Sequence, residues 1–325
     1  MNIGNKRRGK LTVTVLSLSL LTVMAGAAVA PALNVIKLHF ADSSQILIQM
    51  IISTPSIFIV LTNIFFPKLS RLFKIRDLAL AGLLLYLAGG CMAGLFDNIY
   101  IVLIFRALVG VGVGIIMPMS TGLISFYYTR DKQDKLMGYS SAMNQLGGVV
   151  ATLASGLLAS FSWRASFLVY LMGLFSIILC IRYLPEEKLV HGSESGAAAA
   201  ADGKKGSGTF RTYYMFIIAI FISMLIFFVY PSAFAIETAK ENIISHNCVT
   251  IIMTGLDVVA SFGGLSFVHI KKKIGITTRL IGPVFFLLGY VLLLVPGGWT
   301  GAIIGSALIG YANGVEIPFI ISSAS

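Results

Sequence analysis

Long apolar stretches broken by short polar ones run through most of the chain. Stretches long enough to cross a bilayer fall at about 12–34, 45–66, 78–95, 99–127, 137–160 and 165–184. After a polar interval they resume at about 212–235, 245–269, 279–297 and 300–323. Each is close to the ~20 residues a helix needs to span the hydrocarbon core. None alternates with period two, and backbone in lipid must satisfy its own hydrogen bonds, so about ten transmembrane helices are predicted. The interval at 185–211 includes HGSESGAAAAADGKKGSGT, rich in Gly, Ser, Ala and charge. It predicts a flexible cytoplasmic tether between a six-helix bundle (1–184) and a second bundle (212–325) with four helices present.

Composition sharpens this picture. Charged residues are 11% and hydrophobic residues 57% of the chain, against about 25% charged in soluble domains. An all-α integral membrane protein follows, with a lipid bilayer as its solvent. The net charge of +11 does not point to nucleic acid, because of where the cations fall. Of the 24 Lys and Arg, all but Lys37, Arg106, Arg164 and Lys240 sit at the N-terminus or in alternate breaks, the tether included. That asymmetry is the positive-inside pattern, and it places the N-terminus and the tether in the cytoplasm of a multi-pass plasma-membrane protein. The N-terminal basic run, apolar core and Ala-rich end could pass for a signal peptide. The apolar run extends to Ile36, however, so an uncleaved first helix is expected.

The chain also repeats itself. Residues 107–118 read ALVGVGVGIIMP and residues 307–318 read ALIGYANGVEIP. The offset of 200 residues pairs Gly110 with Gly310, Gly114 with Gly314 and Pro118 with Pro318, and it also pairs Gly82 with Gly282. Two copies of one six-helix unit are implied, the second lacking its last two helices. Glycines four apart share a helix face and let another backbone approach closely. A proline four residues on removes a backbone donor and tends to kink the helix. Packing and gating roles are therefore expected for these six residues.

Four places resemble the major facilitator superfamily. Arg106 followed by Gly110, Gly112 and Gly114 is similar to the family's fourth-helix motif. The loop Pro67 to Arg76, with Lys68, Arg71, Lys74 and Arg76, sits where the family has its glycine-Asp-Arg-Gly-Arg loop, although Arg71 stands in place of the aspartate. Gly138, Gly147 and Ser155-Gly156 resemble the antiporter motif of the fifth helix, but Ala151-Thr152 replaces the Gly-Pro usual in exporters. Trp163-Arg164 with Phe167 opens the sixth span in the family manner. The resemblance implies two six-helix bundles that rock about a midplane site, and an arginine at position 106 involved in proton coupling.

Ionisable groups in mid-membrane cost about 2.5–3.5 kcal/mol each on insertion scales, so they mark function. Arg106 lies about 10 Å into its span. Asp257 lies near the middle of the eighth span, where a carboxyl could carry a proton or face a cation. Glu316 lies about 25 Å into the tenth, near its inner mouth, and its repeat counterpart is Ile116. Asn144, Gln145 and Asn313 are further polar candidates for the pathway. His39, His191, His246 and His269 are scattered and read as solvated. Cys91, Cys180 and Cys248 have no metal-like spacing and read as helix packing.

There is no nucleotide loop, zinc-protease or esterase motif, so no enzyme activity, cofactor or metal is expected. The reading that follows is a secondary transporter of a small organic solute, monomeric and driven by protons, with drug or metabolite efflux favoured over nutrient or organic-anion uptake. A chain of ten helices also admits a truncated product or a non-transporting accessory protein.

Overall fold

The computed structural model describes residues 5–188, Ile222, Ile226, Tyr230, 246–294 and 298–324. The described residues form helices α1 (Asn5–Ala27), α2 (Leu33–His39), α3 (Gln45–Leu72), α4 (Ile75–Ala93), α5 (Ile99–Tyr127) and α6 (Arg130–Ala159). There follow α7 (Trp163–Ser166), α8 (Gly173–Tyr183), α9 (His246–Ile274), α10 (Ile281–Leu294) and α11 (Gly298–Ala324). A 3₁₀ turn at Ala30–Ala32 joins α1 to α2, and another at Phe167–Met172 joins α7 to α8. No strand occurs among the described residues.

Among the described residues, eight helical segments are long and apolar enough to cross a membrane. They correspond to the first six expected spans and to the ninth and tenth. The eighth expected span is α9, 29 residues long. The seventh, at 212–235, and the tether fall largely outside the described residues. Large apolar side chains such as Leu157 and Phe161 are exposed at 70% and 84%. Small and polar residues such as Ser155, Gly112 and Ser176 are buried instead. That inversion suits lipid as the surrounding solvent.

Local chemistry sets the ends. Ser44 caps α3 by accepting from the Leu47 amide at 3.4 Å, and Ser162 caps α7 by accepting from the Arg164 amide at 3.2 Å. Such oxygens satisfy amides that have no partner within the helix. Lys271, Lys272 and Lys273 occupy the last turn of α9, where cations oppose the helix dipole. Gly275, in the left-handed region at φ 62°, lets the chain turn away.

By packing the chain divides into two compact units. One comprises Met1–Tyr127 with Leu146–Ser193, and the other Tyr128–Gln145 with Glu194–Ser325. In the first, α5 packs against α1, α3 and α4; in the second, α11 packs against α9 and α10. The long helix α6 contributes to both. Its second half meets α1, where a Cβ on Gly147 would collide with the Leu20 carbonyl. Its first half meets α9, where a Cβ on Gly138 would lie 2.7 Å from the Gly264 carbonyl oxygen.

Candidate functional site

Among the described residues Arg106 is the largest side chain that is wholly buried, at 0% exposure. Its Nε donates to the Ile51 carbonyl of α3 at 2.7 Å, and its Nη2 to the Ala25 carbonyl of α1 at 2.6 Å. Its Nη1 donates to the Tyr170 hydroxyl, which in turn donates to the Ala25 carbonyl at 2.8 Å. The Tyr170 ring lies 5.8 Å from the guanidinium and packs edge-on to Tyr86 at 5.2 Å. Among the described residues no carboxylate pairs with Arg106; the cation is held by neutral oxygens.

Both backbone acceptors are carbonyls that their own helices cannot use. The donor to the Ile51 carbonyl should be the amide of residue 55, but Pro55 has none. The donor to the Ala25 carbonyl should be the Val29 amide, but the chain tightens after Ala27 and that amide bonds the Gly26 carbonyl at 3.3 Å. A buried carbonyl without a partner costs about 1–3 kcal/mol. Arg106 thus repairs two breaks at once, with donors splayed on a rigid fork suited to the task. The glycines that follow it bring α5 onto α3. A Cβ on Gly110 would strike the Pro55 carbonyl, and one on Gly114 would lie 2.6 Å from the Thr62 Cβ.

The second unit holds the two carboxyl candidates and the two amide candidates of α6, Asn144 and Gln145. Asp257 is half-buried on α9 beside Leu256. At that turn a Cβ on Gly310 would strike the Leu256 carbonyl, and one helical turn on, a Cβ on Gly314 would strike the Ala260 carbonyl. No cation pairs with Asp257 among the described residues. An apolar cluster that includes Tyr230, Leu256, Phe286 and Ile309 packs at the same level, and Tyr230 and Ser306 share a hydroxyl bond of 2.6 Å. Glu316 is half-buried on α11, its carboxyl seated where a Cβ on Gly282 of α10 would be. Asn313 is buried one turn from Ile309, and Asn144 and Gln145 lie half-buried in α6. Pro318 lies within α11, as Pro118 lies within α5. So Arg106 stands in one unit, and Asp257, Glu316, Asn313, Asn144 and Gln145 in the other.

The basic loop of the first unit is divided. Arg76 pairs with Glu186 at 2.5 Å, Lys74 lies 3.8 Å from the same carboxylate, and the Ile75 amide donates to the Glu187 carbonyl at 2.8 Å. Lys68 and Arg71 are exposed. Sequence reasoning missed three further ion pairs. In the second unit Lys271 Nζ meets Asp134 Oδ2 at 2.8 Å and Ser322 Oγ at 3.2 Å. In the first, His39 Nε2 lies 2.8 Å from Asp97 Oδ1, and Arg164 donates to that same oxygen. His39 is therefore tied to a carboxylate rather than merely solvated. The hydrogen bond from His39 and the charge of Arg164 hold the Asp97 carboxyl below the usual carboxylate range.

The family model for the Major Facilitator Superfamily matches residues 15–325. The chain belongs to that superfamily. Over 225 residues it is 28% identical to the multidrug efflux pump SdrM of Staphylococcus aureus (strain N315), a match covering 67% of this chain and 48% of the pump. Over 195 residues it is 28% identical to multidrug resistance protein 3 of Bacillus subtilis (strain 168), covering 55% and 38%. Over 144 residues it is 23% identical to the riboflavin transporter RibZ of Clostridioides difficile (strain 630), covering 44% and 32%. The chain spans about half the length, or less, of these curated relatives. Among solved structures, the proton:xylose symporter XylE matches with a TM-score of 0.75 and 16% identity, over 98% of this chain and 82% of that one. The human organic anion transporter MFSD10 matches with a TM-score of 0.71 and 14% identity, over 98% and 86%. At such identities the likeness is one of fold. In this major facilitator chain the fold's repeat is visible in contacts as well as in letters. Gly89 abuts the Phe105 carbonyl and Val109, and Gly289, 200 residues on, abuts the Gly305 carbonyl and Ile309.

Proposed function

We propose that this major facilitator protein is a secondary active transporter of a small organic solute, coupled to protons and working by alternating access, with efflux its favoured direction. It works as a monomer in the plasma membrane with its N-terminus in the cytoplasm. Asp257 or Glu316 exchanges the proton, and Arg106 biases its release. The observation that carries this reading is Asp257, a half-buried carboxyl within the 29-residue helix α9, with no cationic partner among the described residues. A position so costly, next to the close crossing of α11 on α9, supports a working group rather than a packing one. The names of the bacterial relatives support efflux of drug-like compounds. Ala151-Thr152, where exporters usually show Gly-Pro, supports uptake of a nutrient as the second reading.

The test uses purified protein in proteoliposomes with ethidium as the probe and an imposed pH gradient. Asp257→Asn should abolish gradient-driven ethidium movement while leaving ethidium exchange at equal pH measurable. Undiminished gradient-driven movement in that variant rules out the role given to Asp257. Running the assay in both vesicle orientations separates efflux from uptake.

A further inference from the structure

Arg106 is held by oxygens from α1, α3 and the 3₁₀ turn at Phe167–Met172. Pro55 leaves the Ile51 carbonyl without its helical donor, and Arg106 Nε supplies the missing hydrogen bond at 2.7 Å. On the opposite side the Tyr170 hydroxyl and Arg106 Nη2 converge on the Ala25 carbonyl, which the 3₁₀ break has freed. The guanidinium is thus aligned by two backbone faults and one phenol. The contacts around it leave little room for another arrangement. A Cβ on Gly110 would strike the Pro55 carbonyl, and a Cβ on Gly90 would strike the Tyr170 ring.

We infer that Pro55 and Tyr170 are positioning residues for transport, because together they fix where the charge of Arg106 sits. The inference rests on the reading of Arg106 as the fixed charge of the cycle. An alanine at position 55 restores an amide, which takes the Ile51 carbonyl back into the α3 ladder. The Ile51 carbonyl is then shared between that amide and Arg106 Nε, and the guanidinium is held less firmly. In a chain without the arginine, the same alanine simply repairs the helix. The effect of Pro55→Ala therefore depends on what stands at position 106.

The experiment is a double-mutant cycle of Pro55→Ala and Arg106→Gln in the full chain, read in two ways. Thermal unfolding in detergent should show Pro55→Ala stabilising the Arg106→Gln protein and not the wild type. Ethidium transport in proteoliposomes should show Pro55→Ala lowering the maximal rate about fivefold to tenfold and displacing the pH of half-maximal transport, with KM nearly unchanged. Tyr170→Phe keeps the ring against Gly90 and removes only the hydroxyl. It should displace the pH profile in the same direction and serves if Pro55→Ala fails to fold. Equal stability changes from Pro55→Ala in the two backgrounds would overturn the pairing. A coupled stability change with wild-type rate and pH profile in both Pro55→Ala and Tyr170→Phe would overturn the role in transport. A wild type that moves no ethidium would count against the functional reading instead, and the unfolding cycle would still decide the pairing.

Discussion

The crossing of α5 on α3 and the crossing of α11 on α9 are two versions of one joint. Gly110 and Gly114 seat α5 against residues 55–62, and Gly310 and Gly314 seat α11 against residues 256–260. The contents of the two joints differ. Where the first has Pro55, contact against the matching glycine places Leu256 in the second. A leucine keeps its amide, so no carbonyl is orphaned and no guanidinium is called for. Offset by 200 from Arg106 stands Ser306, which bonds the Ala302 carbonyl at 2.6 Å and the Tyr230 hydroxyl. The carboxyls show the reverse. Glu316 has Ile116 as its counterpart, and Asp257 follows Leu256 as Ser56 follows Pro55. One joint thus keeps a cation tied to neutral oxygens, and the other carries two carboxyls. Glycines preserve the scaffold of a duplicated bundle, while proline and charge distinguish its two copies.

The largest expected effect tests the shared scaffold. Gly110→Leu and Gly310→Leu should each destabilise by at least about 3 kcal/mol, since each forces apart two backbones in contact. Both should remove the folded monomer peak in size-exclusion chromatography. If either variant runs as wild type, the two joints are not equivalent.

Next comes the polar difference between them. Arg106→Leu leaves the Ile51 carbonyl buried without a donor and should cost about 1–3 kcal/mol. Ser306→Ala removes one interhelical hydroxyl bond and should cost about 0.6 kcal/mol, the average for such bonds in a membrane. Unfolding by a graded denaturant measures both. Equal losses would erase the distinction drawn here.

Gly282→Ala is a finer probe. Its methyl group takes the place of the Glu316 carboxyl, whereas Gly82→Ala meets only Ile115 and the Gly112 carbonyl at 3.1 and 3.2 Å. The first should change the pH profile of ethidium transport and the second should leave it alone, with unfolding temperatures within a few degrees of each other.

The smallest effect belongs to Asp97. Its folded carboxyl titrates below the unfolded value of about 3.9. A group so shifted stabilises the fold above that unfolded value and loses its contribution as pH falls through the folded one. Asp97→Asn should therefore lower Tm slightly at pH 6, and the gap to wild type should close below about pH 4. A gap that widens in acid contradicts the sign.

Much of this architecture is written in the chain. Span lengths follow from apolar runs, because lipid leaves the backbone few choices. The two glycine seams follow from the offset of 200, and Arg106 stands out as a charge inside an apolar run. The hold on Arg106 is harder to read. Pro55 does signal that the Ile51 carbonyl lacks a donor, but which distant side chain supplies one depends on which faces of α3 and α5 meet. The Ala25 carbonyl is freed because the Val29 amide bonds Gly26 instead, a tightening that Pro31 signals only loosely. The His39, Asp97 and Arg164 cluster joins residues 58 and 67 positions apart. Its one trace in the sequence is that charges are scarce in the loops opposite the basic ones. The boundary within α6 was equally hidden, because Gly138 and Gly147 read alike until their partners are known.

Proton movement measured directly puts the division between fixed cation and exchanging carboxyls to its hardest test. Vesicles loaded with pyranine report lumenal pH when ethidium is added outside at equal starting pH. Wild-type protein should shift the lumenal pH as ethidium moves, and Asp257→Asn/Glu316→Gln should transport ethidium with no shift. A double variant that still moves protons at the wild-type rate contradicts the account.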